Sequence, residues 1–194
     1  MSEPAPRPTV DVRVGSSTDG LAPVSVAERS TAAGAHEWIG LAAVAGAAVV
    51  ADQVTKRVVV GTLDLAESRH VAGPLDLHHV QNSGIAFGLF PEATTVVIAL
   101  TAMVIAWLLV VFARSGARHP VMPVGLGLVV GGSISNLADR IRLGHVTDFI
   151  DLEFWPAFNL ADTFIVVGVG LLFASFVAAD RTSPRVGTAP LSRS

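Results

Sequence analysis

Apolar residues run in blocks long enough to span a membrane, and polar residues interrupt those blocks near one end. The first block opens near Trp38 and continues through Ala51. It turns polar over Asp52-Gln-Val-Thr-Lys-Arg57 and is apolar again to Val60. A helix needs about 20 residues to cross the hydrocarbon core, so this block predicts a span with the polar patch near one end. Ala93–Ala113 is uncharged and long enough for a second span. Val121–Ala138 is uncharged and rich in Gly and Ser, as expected where helices pack closely in lipid, and predicts a third. Ala161–Ala179 predicts a fourth. The first block could also be read as a cleaved signal peptide. Three spans follow it, however, and its polar patch keeps helical spacing, which favours a retained span.

Between the first two blocks, residues 61–90 are polar enough to leave the membrane. Leu75, Leu77 and Val80 alternate there, with turn signals at Gly73-Pro74 and Asn82-Ser-Gly84. Short strands forming a small sheet on the membrane surface are predicted. Residues 1–35 and 181–194 lack a sustained apolar period and read as a disordered arm and tail around a 36–180 membrane domain. The fold class expected is an all-α membrane protein with four transmembrane helices and a small extracytoplasmic β-cradle at 61–90.

Composition agrees with the membrane class. The chain of 194 residues is 51% hydrophobic and 15% charged, with a mean hydropathy of +0.59, whereas soluble domains are near a quarter charged. A net charge of −3 does not suggest nucleic-acid binding, and the absence of cysteine excludes disulfides and thiolate chemistry. No metal or cofactor is expected. The loop Arg114-Ser-Gly-Ala-Arg-His119, the tail with Arg181, Arg185 and Arg193, and Arg29 before the first span all fall on one side of a four-span chain. The positive-inside tendency makes that side cytoplasmic. Lys56, Arg57, Arg69, Arg140 and Arg142 lie towards the other side, several of them beside acids.

Span parity then brings scattered residues to one face. The end of span one, the start of span two, the end of span three and the start of span four share a side. Asp52, Lys56, Asn82, Asn136, Asp139, Arg140, Asp148, Asn159 and Asp162 are all there. Asp52 and Lys56 are four apart with the acid first, the favourable order for a helical ion pair. Gly132, Asn136 and Arg140 share a helix face beside Asp139, either as packing glue or as site residues. Gly84 in Asn82-Ser-Gly-Ile-Ala-Phe-Gly88 permits close backbone approach. Asp148, in Val146-Thr-Asp-Phe149, and Asp162, in Phe158-Asn-Leu-Ala-Asp162, sit at junctions of loop and apolar helix without an adjacent cation. They could be caps. Brought together, two carboxylates share a proton, so that one can activate water while the other polarises a carbonyl. Intramembrane carboxylates also mark ion relays, but relay residues would run through the membrane depth rather than gather at one face. A scaffold with buried polar groups is the third reading.

Asp52-Gln-Val-Thr-Lys56, Asn82-Ser-Gly-Ile-Ala-Phe-Gly88, Gly131-Gly-Ser-Ile-Ser-Asn-Leu-Ala-Asp-Arg140, Val146-Thr-Asp-Phe149 and Phe158-Asn-Leu-Ala-Asp162 occur in order. Together they resemble bacterial lipoprotein signal peptidase (signal peptidase II), over roughly residues 38–180. The resemblance implies an intramembrane aspartic endopeptidase that removes signal peptides from diacylglyceryl-modified prolipoproteins, cutting before the lipidated cysteine. It implies Asp148 and Asp162 as the catalytic pair, with Asp52, Lys56, Asn82, Asn136, Asp139, Arg140 and Asn159 in support. It also implies a short extracytoplasmic helical element between spans three and four, inhibition by the cyclic peptide globomycin, and location in the bacterial cytoplasmic membrane. Membrane lipid is the other expected partner, and a single bundle suffices, so a monomer is expected. Ser133 and Ser135 stand where the family often has Ala or Gly, and Thr147 where Val is common.

Overall fold

The computed structural model describes residues 33–84, 94–115 and 121–182. Most of the N-terminal arm and C-terminal tail, the Ile85–Gly88 part of the asparagine motif and most of the 114–119 loop lie outside these residues. The elements in chain order are α1 (Ala35–Thr62), β1 (Ser68–Ala72), β2 (Leu75–Asn82), α2 (Thr94–Ser115), α3 (Met122–Leu143), β3 (Val146–Leu152), β4 (Trp155–Phe158) and α4 (Leu160–Thr182). Long apolar helices with a small sheet make this an all-α membrane architecture. Helices α1, α2 and α4 are long and apolar enough to cross a membrane. In α3 the glycines, serines and Asn136–Arg142 polar end dilute the apolar character, and the helix is instead the most buried of the described helices.

Close packing explains that composition. A Cβ on Gly131 would lie 2.6 Å from the Ala45 carbonyl oxygen, and one on Gly127 would lie 2.9 Å from that of Leu41, so α1 rests on the backbone of α3. On the other side of α3, a Cβ on Gly132 would overlap the Ala161 carbonyl oxygen, and one on Gly168 of α4 would lie 2.6 Å from the Gly125 carbonyl oxygen. In lipid, where helix association rests on close van der Waals packing, small residues at such crossings let backbones meet. Leu41, Ala45, Ala48, Asp52, Lys56 and Val59 form the buried stripe of α1, spaced three or four apart. The stripe is apolar in its first half and charged further on. Helix α2 joins through Ile105 and Phe112, whose ring meets Trp38 edge-on at a centroid distance of 5.0 Å.

The polar ends carry a four-stranded antiparallel sheet ordered β1-β2-β3-β4. Strands β1 and β2 fall inside the predicted 61–90 cradle. The other half of the sheet comes from residues 146–158, where a helical element was expected; the segment after α3 forms strands instead. Gly144, with φ of 79°, terminates α3 in the left-handed conformation that glycine adopts without strain. The chain then turns back to pair Val80 with Asp148 and Asn82 with Val146. Asp148 thus lies on a strand rather than at a junction of loop and helix. Val146 to Phe149 are all buried, so the alternation that would announce a strand is hidden. Val59 of α1 and Leu63, the residue that caps the helix, pack on Phe149, with Leu77, Ile150 and Leu160 around them, fixing the sheet to the bundle. His79 adds a tie: its Nδ1 donates to the Leu63 carbonyl at 3.1 Å.

The tight α3–α4 crossing gives a direct test. Gly132→Ala should lower thermal stability in detergent by about 1–3 kcal/mol, through overpacking. Gly170→Ala, whose Cβ would meet nothing within 4 Å, should be neutral or slightly stabilising because alanine is the better helix former.

Candidate active site

Lys56 lies at the centre of the polar stripe, 4% exposed. Its ammonium is 2.7 Å from Asp52 Oδ2 and 2.7 Å from Asp139 Oδ2, and it donates to Asn136 Oδ1 at 2.9 Å. Asp52, fully buried, accepts a hydrogen bond from Ser135 Oγ at 2.7 Å and from the Ala161 backbone N–H at 2.8 Å. Gln53 donates to Ser135 Oγ at 3.0 Å and to Asp139 Oδ1 at 2.8 Å. The Asp52–Lys56 pair is therefore part of an ion triad reaching α3, and Asp139 pairs with Lys56 rather than with its neighbour Arg140. Gln53 and Ser135 were not among the expected site residues. Their signal was present, an amide inside an apolar span and a hydroxyl one residue before Asn136, but neither carries charge.

A layer of amides stands between this triad and an open cavity. Asn136 Nδ2 donates to Asp162 Oδ1 at 2.8 Å, while Asn136 Oδ1 accepts from Asn159 Nδ2 at 3.1 Å as well as from Lys56. Asn159 Nδ2 also donates to Asp148 Oδ1 at 2.7 Å, and Asn82 Nδ2 donates to Asp148 Oδ2 at 3.0 Å. At the start of α4, Asn159 Oδ1 accepts the Asp162 N–H at 2.9 Å, and Asp162 Oδ2 accepts the Asn159 N–H at 3.2 Å. This reciprocal cap satisfies two donors that a helix start leaves open. Asp162 is thus a cap, and its carboxyl also lines the cavity. Gly84 links the remaining pair: its N–H donates to Asn82 Oδ1 at 3.1 Å, and its carbonyl accepts from Arg140 Nη2 at 3.3 Å.

The cavity, about 720 Å³, is lined by Asn82, Asn136, Arg140, Asp148, Asn159 and Asp162 on its polar side. Its apolar walls include Val97 of α2, Ile165 and Val166 of α4, and the β3–β4 hairpin. Asp52, Lys56 and Asp139 do not line it; they stand behind the amides. The structure thus brings the expected residues together in two layers. Burial raises the Asp148 carboxyl from the usual carboxylate range to about 6. The hydrogen bond from Asn82 opposes this, the Asp162 charge adds to it, and Asn159 and Lys56 oppose it.

Comparison with known proteins now decides the family. The family described as "Signal peptidase (SPase) II" matches residues 44–178. The chain belongs to the signal peptidase II family. Lipoprotein signal peptidase of Pelotomaculum thermopropionicum is 42% identical over 139 residues, covering 71% of this chain and 91% of the relative. That of Ectopseudomonas mendocina is 39% identical over 145 residues, covering 70% and 86%. A solved structure described as a bacterial membrane enzyme, determined in meso at 2.3 Å resolution, superposes with a TM-score of 0.70 at 26% identity. It covers 82% of this chain and 98% of that one. A second, at 1.9 Å resolution, gives a TM-score of 0.65 at 28% identity, covering 76% and 97%. The chain is therefore an intramembrane aspartic endopeptidase acting on lipidated prolipoproteins, in a multi-pass inner-membrane setting.

Two measurements check the site. Lys56→Met strands two buried carboxylates and should cost about 3–5 kcal/mol of stability in chemical or thermal unfolding. The second concerns Asp148, whose raised folded-state value means that the folded protein binds more protons than the unfolded chain between about pH 4 and 6. Its contribution is fully present below the unfolded value and is lost as pH rises through about 6. Unfolding from pH 4 to 8 should show this decline, up to about 3 kcal/mol, and Asp148→Asn should flatten it.

Proposed function

We propose that Asp148 and Asp162 are the catalytic dyad, cleaving the signal peptide immediately before the diacylglyceryl-modified cysteine. The observation that carries this is a bridge of neutral amides: Asn136 and Asn159 tie together two carboxylates from a strand and a helix that face one cavity. Neither Asp148 nor Asp162 has an ion pair among the described residues, so the pair can hold a single shared proton. In that state the ionised member takes a proton from water as the water oxygen attacks the scissile carbonyl. The protonated member donates to the carbonyl oxygen. Collapse of the tetrahedral adduct breaks the C–N bond, and a proton passes to the departing cysteine nitrogen. The water oxygen becomes the second oxygen of the new carboxyl group, and the dyad is left with one proton.

The supporting residues have separate tasks. Asn82, Asn136 and Asn159 orient the carboxylates without supplying full positive charge, which would drive both to ionise. Asp52, Lys56 and Asp139 hold α1, α3 and the start of α4 in register. Arg140, on the cavity wall beside Gly84, is placed to meet substrate main-chain oxygen. Helix α3 completes a bundle of four spans, with both termini cytoplasmic and the sheet at the extracytoplasmic face. The substrate's acyl chains supply remote binding energy that positions the scissile bond. Globomycin competes for the cavity, and a monomer contains the whole site.

Purified protein and a lipidated precursor test this directly. Asp148→Asn and Asp162→Asn should each reduce turnover at least about a thousandfold, as for removal of an essential acid–base group, while leaving a folded protein. Wild-type cleavage should stop on adding globomycin. Near-normal turnover in either variant would remove that residue from the dyad.

A further inference from the structure

Strand β4 is the last in the sheet, with β3 on one side and no strand on the other among the described residues. The cavity passes along it, and its lining takes every consecutive residue from Trp155 to Asn159. A cavity resting on the face of a strand would touch alternate residues, because successive side chains point to opposite faces. An unbroken run at the outermost strand fits a cavity that follows the strand's outer edge, where the backbone groups of alternate residues point away from the sheet. The run ends at Asn159, whose side chain donates to Asp148 at 2.7 Å and whose backbone N–H donates to Asp162 at 3.2 Å. The edge therefore leads to both carboxylates.

A helical substrate presents its peptide carbonyls already bonded and shielded by the next turn. Attack by water requires the scissile segment to unwind, and each amide it frees needs a partner in an apolar cavity. We propose that this segment docks on β4 as an added, extended strand, exchanging main-chain hydrogen bonds with the edge and so delivering its carbonyl to the dyad. The proposal rests on the dyad reading given above. Recognition through the main chain tolerates varied side chains. Pro156 has no N–H, so the strand cannot donate from that position. That interruption lets a short peptide pair while denying a long template to another sheet.

The unaltered enzyme tests the idea with lipidated precursor peptides, each N-methylated at one amide near the scissile bond but not at it. N-methylation removes a single donor and keeps the side chain. Strand pairing uses alternate residues, so kcat/KM should fall about tenfold at amides of one parity and stay within about twofold at the other. Losses without parity, or no loss at any position, overturn strand docking while the parent peptide is still cleaved. A parent peptide that is itself left intact overturns the dyad reading and this one together.

Discussion

The buried polar network of the bundle depends on one ammonium. Lys56 lies between Asp52 of α1 and Asp139 of α3, and the same Asp52 holds the Ala161 N–H at the start of α4. A single cation thus fixes three helices at their polar ends. Removing such groups from water is costly, and the attraction between them offsets that cost only when the remaining lone pairs and protons also find partners. Ser135, Gln53 and Asn136 supply those partners. The glycines of α3 are part of the same arrangement, because without close backbone approach the side chains of α1 and α3 could not meet at 2.7 Å.

From that anchor the polarity grades outward from ions to amides to the carboxylates of the cavity. The lysine's charge compensation stays in the back layer; the groups that hydrogen-bond to Asp148 and Asp162 are neutral and directional, while the Arg140 guanidinium on the cavity wall bonds to the Gly84 carbonyl. The proposed dyad needs this ordering. Carboxylates paired directly with a lysine would stay ionised, whereas carboxylates held by asparagine amides keep their orientation and can still exchange a proton. Asp148 and Asp162 also come from different kinds of element. Asp148 is placed by strand register, opposite Val80, and Asp162 by its turn within the Asn159 cap. Each position is therefore set by backbone hydrogen bonds rather than by flexible side-chain packing.

The apolar periods of the chain were enough to place the long helices, to put α1's polar patch at one end, and to locate β1 and β2. Parity of the spans was enough to gather Asp52, Lys56, Asn136, Asp139, Asp148, Asn159 and Asp162 onto one face, because which side a helix end occupies follows from counting crossings. The ordered motifs carried the family. These are local or additive properties of a sequence, and they survive without coordinates.

What needed the tertiary structure was partner choice. Residues 146–158 form strands because β2 offers a complementary edge, and burial on both faces erased the alternation that would have marked them. Asp139 turns to Lys56 instead of Arg140, and Gln53 and Ser135 enter the network, because α1 and α3 cross at glycine. Such choices are made between residues some 80 positions apart. Hydropathy and spacing describe each segment alone; only the packed helices and paired strands decide which distant side chain fills the last lone pair.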